Sequence, residues 1–275
     1  MRPSLCLFVL MLTAWTVSCQ APEESKTADP LASLASLEWI DLSYAFDSAT
    51  LYWPNNPTGF ELEAEAEGMT EGGYFYSSYS LSTPEHGGTH LDAPIHFSEK
   101  GQKLDELRLD QLTGAAVLID VSELALVDRD YRIDTAAILA WEKENGQIPE
   151  HSIVLFRTGY GKFYPDREKY FGTAKMGLEA ILELHFPGIH PEAAQFLAEK
   201  RKVNAVGLDT PSLDFGQSKD FAAHQVLMGH NIPGFENVAN LDQLPASGFY
   251  VVALPMKIKG GSGGPLRVIA GVGRL

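Results

Sequence analysis

Ala115-Ala116-Val117-Leu118-Ile119-Asp120-Val121 is an apolar run of strand length, and the pattern of the next forty residues decides the fold. Asp134 is a good helix N-cap, and Ile138, Leu139 and Trp141 supply apolar positions for a helix that starts there. Ile153-Val154-Leu155-Phe156-Arg157 then returns as a second strand. The alternation continues outward, with strands predicted over residues 205–208, 249–258 and 267–272. A helix is predicted from Pro191, well placed in a first turn, to about residue 201. Another is predicted from near Ser218, carrying His224, Leu227 and Met228 until Gly229 ends it. Such alternation defines a single mixed α/β domain over residues 38–275, and the pattern alone leaves the strand order open.

The first residues lie outside that domain. Arg2 precedes an almost uncharged apolar run over residues 5–17, which at 1.5 Å per residue covers roughly 20 Å, short of the ~30 Å needed to span a bilayer. Residues 1–18 therefore read as a signal peptide and the chain as exported. Ser18-Cys19 resembles a bacterial lipoprotein signal with Cys19 as the lipid attachment, although Thr16 stands where a Leu is usual; plain secretion into the periplasm is the alternative. Residues 19–37 are polar and Pro-containing, a flexible tether. The chain has two Cys and Cys6 leaves with the signal, so no internal disulfide can form despite export. Lys and Arg number 21 against 36 Asp and Glu, a net charge of −15, which argues against nucleic acid as a partner. Membrane contact is expected only through the N-terminal lipid.

Chemistry concentrates in residues 85–97, Glu85-His86-Gly87-Gly88-Thr89-His90-Leu91-Asp92-Ala93-Pro94-Ile95-His96-Phe97. His86, His90, Asp92 and His96 are separated by even steps, so an extended chain points all four to one side. A straight strand would nevertheless hold His86 and His96 ~33 Å apart, too far for one ion. The segment must bend, and Gly87-Gly88 and Pro94 stand where bends are needed. Imidazoles and a carboxylate converging on one point suit Zn²⁺ or Mn²⁺.

The segment fills every fixed position of His-x-Gly-Thr-His-x-Asp-x-Pro-x-His, the signature of the cyclase family of metal-dependent hydrolases, whose best-known members are bacterial kynurenine formamidases and isatin hydrolases. Asp41-Leu42-Ser43, Tyr52-Trp53-Pro54, Arg157-Thr158-Gly159, Phe186-Pro187-Gly188-Ile189, Gly207-Leu208-Asp209-Thr210-Pro211-Ser212 and Gly264-Pro265-Leu266-Arg267 resemble further landmarks of that family, in order. The resemblance covers residue 38 to the end. It implies the swivelling β/β/α cyclase-like fold, with His86, His90, Asp92, His224 and Glu236 as ligands to one or two ions and His96 as the catalytic acid/base. The presence of Glu236 favours the formamidase-like arrangement. It also implies a homo-oligomer.

The reaction implied is hydrolysis of a C–N amide bond by metal-activated water, with His96 moving the proton. An aryl formamide of the N-formylkynurenine type is the first substrate class, and opening of a cyclic amide or lactone the alternative. The formamidase resemblance points to tryptophan breakdown, a cytoplasmic process that the export signal sets apart from this chain. Tyr52, Trp53 and Tyr76 are candidate substrate contacts, because an aryl group stacks well on such rings. The alternating acids of Glu61-Leu62-Glu63-Ala64-Glu65-Ala66-Glu67 read as the solvated face of a strand. A different class of function, capture of metal or a ligand by a non-catalytic surface lipoprotein, also suits a His-rich site on a tether.

Overall fold

A computed structural model of the chain describes residues 34–273; the signal, Cys19 and nearly all of the tether lie outside the described residues. Among the described residues there are twelve strands: β1 (Leu37–Asp41), β2 (Glu61–Met69), β3 (Phe75–Ser82), β4 (His90–Asp92), β5 (Thr113–Asp120), β6 (Arg132–Ile133), β7 (Ile153–Arg157), β8 (Gly188–Ile189), β9 (Ala205–Leu208), β10 (Gly234–Glu236), β11 (Phe249–Pro255) and β12 (Gly263–Gly273). Eight of them form one sheet in the order β1-β12-β11-β5-β7-β9-β10-β4. The long β12 closes that sheet on itself, because Gly263–Pro265 pairs with β4 while the rest of the strand pairs with β11 and β1. The result is a barrel-like sheet that is parallel from β5 through β7 and β9 to β10 and antiparallel elsewhere.

Strands β5 and β7 read as unbroken apolar runs because both of their faces are covered. Val117, Ile119, Val154 and Phe156 pack against helices, whereas Ala116, Leu118, Ile153 and Leu155 fill the inside of the curved sheet with Phe235, Val251 and Val268. Three helices cover the outer face: α1 (Thr135–Asn145), α2 (Pro191–Phe196) and α3 (Ala222–Gly229). Asp134 caps α1 as expected, its side chain accepting the Ala137 N–H at 2.9 Å. Helix α2 continues through a widened π turn over Leu197–Arg201, so the predicted span is right but its last turn is not α.

Two other boundaries differ from expectation. Helix α3 starts at Ala222, four residues after Ser218, because Phe221 takes a left-handed backbone (φ 51°) and its N–H is held by the Ser218 hydroxyl. Strand β11 ends at Pro255, which cannot donate to a ladder, rather than at residue 258.

Arg201 and Glu142 tie the end of the π turn to α1 through two bonds of 2.5 and 2.6 Å, with side chains only 13% and 9% exposed. The Arg201 guanidinium, aided by the Ile148 N–H, holds the Glu142 carboxyl below its ordinary value. A depressed folded pKa stabilises above the unfolded pKa and is lost as pH falls through the folded one. Glu142→Gln is therefore expected to cost roughly 1 kcal/mol at pH 7, and less as the pH drops below about 4. Urea unfolding at the two pH values checks this; an equal deficit at both would exclude the ion pair as its source.

Candidate metal centre

The register of the barrel builds the site. On β4, His90 and Asp92 are two apart and face the same way, while Leu91 between them is fully buried in the apolar interior. Strand β10 pairs antiparallel with β4 so that Glu236 lies opposite His90 and Gly234 opposite Asp92. Glu236 thus joins the two β4 side chains on one face, and Phe235 goes with Leu91 into the core. His224 arrives from the first turns of α3.

The donor atoms converge. His90 Nε2 is 3.2 Å from Asp92 Oδ1 and 3.4 Å from Glu236 Oε2. His224 Nε2 is 3.2 Å from Asp92 Oδ2 and 3.1 Å from Glu236 Oε1. On the far side of Asp92, His86 Nδ1 is 2.6 Å from Oδ1, and the His86 ring stacks on His96 at 3.9 Å. Two trios, His90–Asp92–Glu236 and His86–Asp92–His96, each have donor atoms within 4.8 Å of one another and share Asp92.

The outward nitrogens of two imidazoles are fixed from behind. His90 Nδ1 meets the Gly88 carbonyl at 2.9 Å and His224 Nδ1 meets Asp214 Oδ2 at 2.6 Å, so Nδ1–H donates in both and Nε2 is left to face the carboxylates. A protonated Nε2 donates to Asp92 and Glu236, and a cation at the centre would take the place of that proton on each Nε2 lone pair. His90, Asp92, His224 and Glu236 are all buried, and no Lys or Arg lines the cavity among the described residues. Burial penalises charge on His90, yet Asp92 and Glu236 outweigh it and hold its pKa up at about 9. His224 is likewise raised against burial by Asp214, Asp92 and Glu236. Burial and the charge of Asp92 push Glu236 up, while Asp92 itself is held low, despite burial, by His86, His90 and His224. Burial lowers His96 to about 4, with the neighbouring imidazoles adding to it against Asp92. The donor set therefore fits a divalent cation bound through His and carboxylate ligands.

The bends occur where the glycines and proline stand. Gly88 is left-handed (φ 56°), and a side chain at Gly87 would meet the Tyr52 ring at 2.1 Å. Pro94 opens a short 3-10 turn, Pro94–His96, that folds His96 back over His86. Above the donors lies a cavity of about 270 Å³ walled by Trp53, Phe97, Phe171 and Phe221.

Of the three aromatic residues expected to touch substrate, Trp53 lines this cavity and the other two do not. Tyr52 is buried behind Gly87, with its hydroxyl 2.6 Å from Thr83 Oγ1, and so supports the bend. Tyr76 stands exposed near the tip of the β2–β3 ribbon. Residues that the sequence does not single out also serve the site. Asp214 orients His224, and Ser262 Oγ meets His86 Nε2 at 3.0 Å while donating to Glu85. Asn237 donates to the Gly88 carbonyl at 2.7 Å.

Buried carboxylates and oriented imidazoles beneath a small aromatic cavity define a metal-dependent hydrolase. A family profile described as Putative cyclase matches residues 40–215. The chain is 31% identical over 223 residues to isatin hydrolase of Roseibium aggregatum, covering 78% of this chain and 82% of that one. It is 30% identical over 232 residues to a kynurenine formamidase of Bacillus cereus, covering 84% and 96%. The solved structure of isatin hydrolase A from Labrenzia aggregata bound to benzyl benzoate superposes with a TM-score of 0.78 at 33% identity, over 89% of this chain and 98% of that one. The chain belongs to the cyclase family. It is a metal-dependent amide hydrolase, and the reading of a non-catalytic capture protein is not favoured.

Proposed function

We propose that the chain hydrolyses the C–N bond of a small aryl amide, with aryl formamides of the N-formylkynurenine type as the first substrate class. The observation that carries this is the aromatic-walled cavity set directly over the His/Asp/Glu donors, with His96 beside them. A flat aryl group fits between Trp53, Phe97 and Phe221, which leaves its amide facing the donors. His90, Asp92, His224 and Glu236 would hold Zn²⁺ or Mn²⁺, with His86 and Asp92 placed for a second ion. When bound, the ion supplies Lewis acidity, making water a better nucleophile at neutral pH and drawing charge from the carbonyl. His96 accepts the proton of the attacking water and passes it to the leaving nitrogen.

A cyclic amide of the isatin type is the second reading, favoured by the similarity to isatin hydrolase across 89% of the chain. The mature chain, on this proposal, stands outside the cytoplasm, held by a lipid on Cys19, and self-associates; the apolar run and Ser18-Cys19 support the former. A panel of aryl formamides and cyclic amides, assayed after chelation and again after adding Zn²⁺ or Mn²⁺, tests the chemistry. Turnover is expected on at least one class, lost on chelation and restored by metal. Turnover that survives chelation, or none on any amide, would reject the proposal.

A further inference from the structure

The segment that leads into β12 forms a bracket against the histidine motif. Gly261, Ser262 and Gly263 run alongside Glu85, His86 and Leu91, and the two backbones approach too closely for side chains between them. A Cβ on Gly263 would lie 2.5 Å from His86 Cε1 and 2.7 Å from the Leu91 carbonyl oxygen, and one on Gly261 would lie 2.8 Å from Glu85 Oε1. The Ser262 carbonyl accepts the Ala93 N–H and the Gly261 carbonyl accepts the Leu104 N–H, both at 2.9 Å. Gly263 pairs with Asp92 in the β12–β4 ladder. Backbone on both sides therefore fixes Ser262, and its hydroxyl meets His86 from a rigid support.

The direction of each hydrogen bond follows from the protons available. Glu85 Oε2 accepts the Ser262 hydroxyl at 2.6 Å and the Ser262 N–H at 3.2 Å. A hydroxyl has one proton, and Glu85 takes this one. The Ser262 oxygen can then only accept from His86 Nε2, 3.0 Å away, so Nε2–H donates. Nδ1 is the nitrogen that faces Asp92 Oδ1, at 2.6 Å, where a cation would take the place of a proton. His90 and His224 are held the opposite way round, by their Nδ1 atoms, with Nε2 toward the centre. The His86 ring also supports His96, with ring centroids 3.9 Å apart and planes 19° from parallel. Turning His86 would disturb both its face toward Asp92 and the surface on which His96 rests.

We propose that Glu85 and Ser262 are positioning residues of the metal centre: acting through His86, they select Nδ1 as its ligating atom and fix the plane of its ring. This rests on the reading of His86 and Asp92 as ligands of an ion beside the one held by His90, His224 and Glu236. Neither Glu85 nor Ser262 belongs to the two trios of converging donors. A bracket that only held the loop would need no hydroxyl against the ring, because the Ala93 and Leu104 bonds and the β12–β4 pairing use backbone alone. A His86 free to take either tautomer would present Nδ1–H to the ion in part of the molecules, and the apparent affinity would fall by the fraction left competent. Glu85 matters because it claims the hydroxyl proton. Without it, the Ser262 hydroxyl can turn and donate to Nε2, which sends the imidazole proton to Nδ1.

Two measurements on the purified protein, with its N-terminus as the host leaves it, test the assignment: Zn²⁺ affinity by competition with a chromophoric chelator, and ¹⁵N NMR of the histidine-labelled, Zn²⁺-loaded protein. In wild type, His86 is expected to carry its proton on Nε2, while His90 and His224 carry theirs on Nδ1. Ser262→Ala is expected to weaken Zn²⁺ binding about tenfold. Glu85→Ala, which leaves the hydroxyl in place, is expected to weaken it to a similar extent. Melting of the metal-free proteins separates positioning from loss of structure, and both variants are expected to melt within about 4 °C of wild type. Should Ser262→Ala fail to fold, Glu85→Ala and the wild-type spectrum carry the test. A wild-type His86 protonated on Nδ1, or variants that bind Zn²⁺ as tightly as wild type, overturns the positioning role and leaves the metal centre standing. Weaker binding that comes with a Tm lowered by more than about 10 °C assigns the pair to loop stability and also overturns it. A wild type that binds no Zn²⁺ overturns the metal reading and this proposal together.

Discussion

Replacing His96 by alanine is expected to lower kcat by about 10²- to 10⁴-fold while the metal content per chain stays at the wild-type level. The expectation rests on what the ring does and does not touch. His90 and His224 each have one nitrogen fixed by a hydrogen bond of 2.9 Å or less, as metal ligands usually do. Among the described residues the His96 imidazole makes no hydrogen bond; it is held by stacking on His86 at 3.9 Å and lines the cavity wall. A ring fixed in place with both nitrogens uncommitted can accept a proton from water and return it to a nitrogen leaving group. Its low pKa, about 4, keeps it neutral and able to accept at neutral pH. The variant loses a proton carrier and little else, so KM should change far less than kcat. Metal analysis and steady-state kinetics decide between the two roles its position allows. A parallel loss of metal and activity would make His96 a ligand of the His86–Asp92 trio, and an unchanged kcat would remove it from the reaction. Added imidazole should restore part of the rate only if proton transfer is what was lost.

The sequence makes one half of this centre readable and hides the other for a physical reason. His90 and Asp92 sit two apart on a strand, and local geometry alone puts them on one face. Gly88 and Pro94 mark the bends because few other residues tolerate them. Glu236 reaches the same face only through the pairing of β10 with β4, a register between residues more than a hundred apart that no local pattern encodes. Resemblance to the family is what points to it, and to His224. Asp214 escapes both routes: it lies eight residues before α3, where no local rule looks for a cap, yet it accepts the Ala223 and His224 N–H groups of the first turn at 2.9 and 3.1 Å. The aromatic wall of the cavity is half legible. Trp53 is expected there, but Phe97 and Phe221 look like ordinary core residues until the left-handed turn at Phe221 brings its ring towards Phe97. The acids at Glu61 and Glu63 do line the solvated face of a strand, as their spacing predicts. The bulge at Glu65 moves Glu67 to the other face, where it accepts from the Tyr79 hydroxyl at 2.7 Å. That shift sets Glu67 on the face of Leu62 and Tyr79, a placement that depends on pairing and that alternation by itself misstates.

Asp214→Asn is expected to weaken metal binding by about 10- to 100-fold with only a small loss of thermal stability. Both carboxylate oxygens of Asp214 accept: Oδ1 takes the Ala223 N–H, and Oδ2 takes the His224 N–H and sits 2.6 Å from His224 Nδ1. An asparagine keeps one accepting oxygen for the first turn of α3 and turns its amide NH₂ toward His224. An N–H opposite Nδ1 forces the imidazole proton onto Nε2, the nitrogen that faces Asp92 and Glu236. The ring would stay in place but present a hydrogen where a lone pair is needed. Because the amide oxygen still caps the helix, the stability loss should stay near ~1 kcal/mol or below. Asp214→Ala loses cap and orienting contact together, so it should lower both Tm and metal affinity. Metal affinity is read by competition with a chromophoric chelator, and stability by melting the apo proteins. If Asp214→Asn bound metal as tightly as wild type, Asp214 would be a helix cap alone, and the tautomer of His224 would have to be set by Asp92 and Glu236 without help from behind.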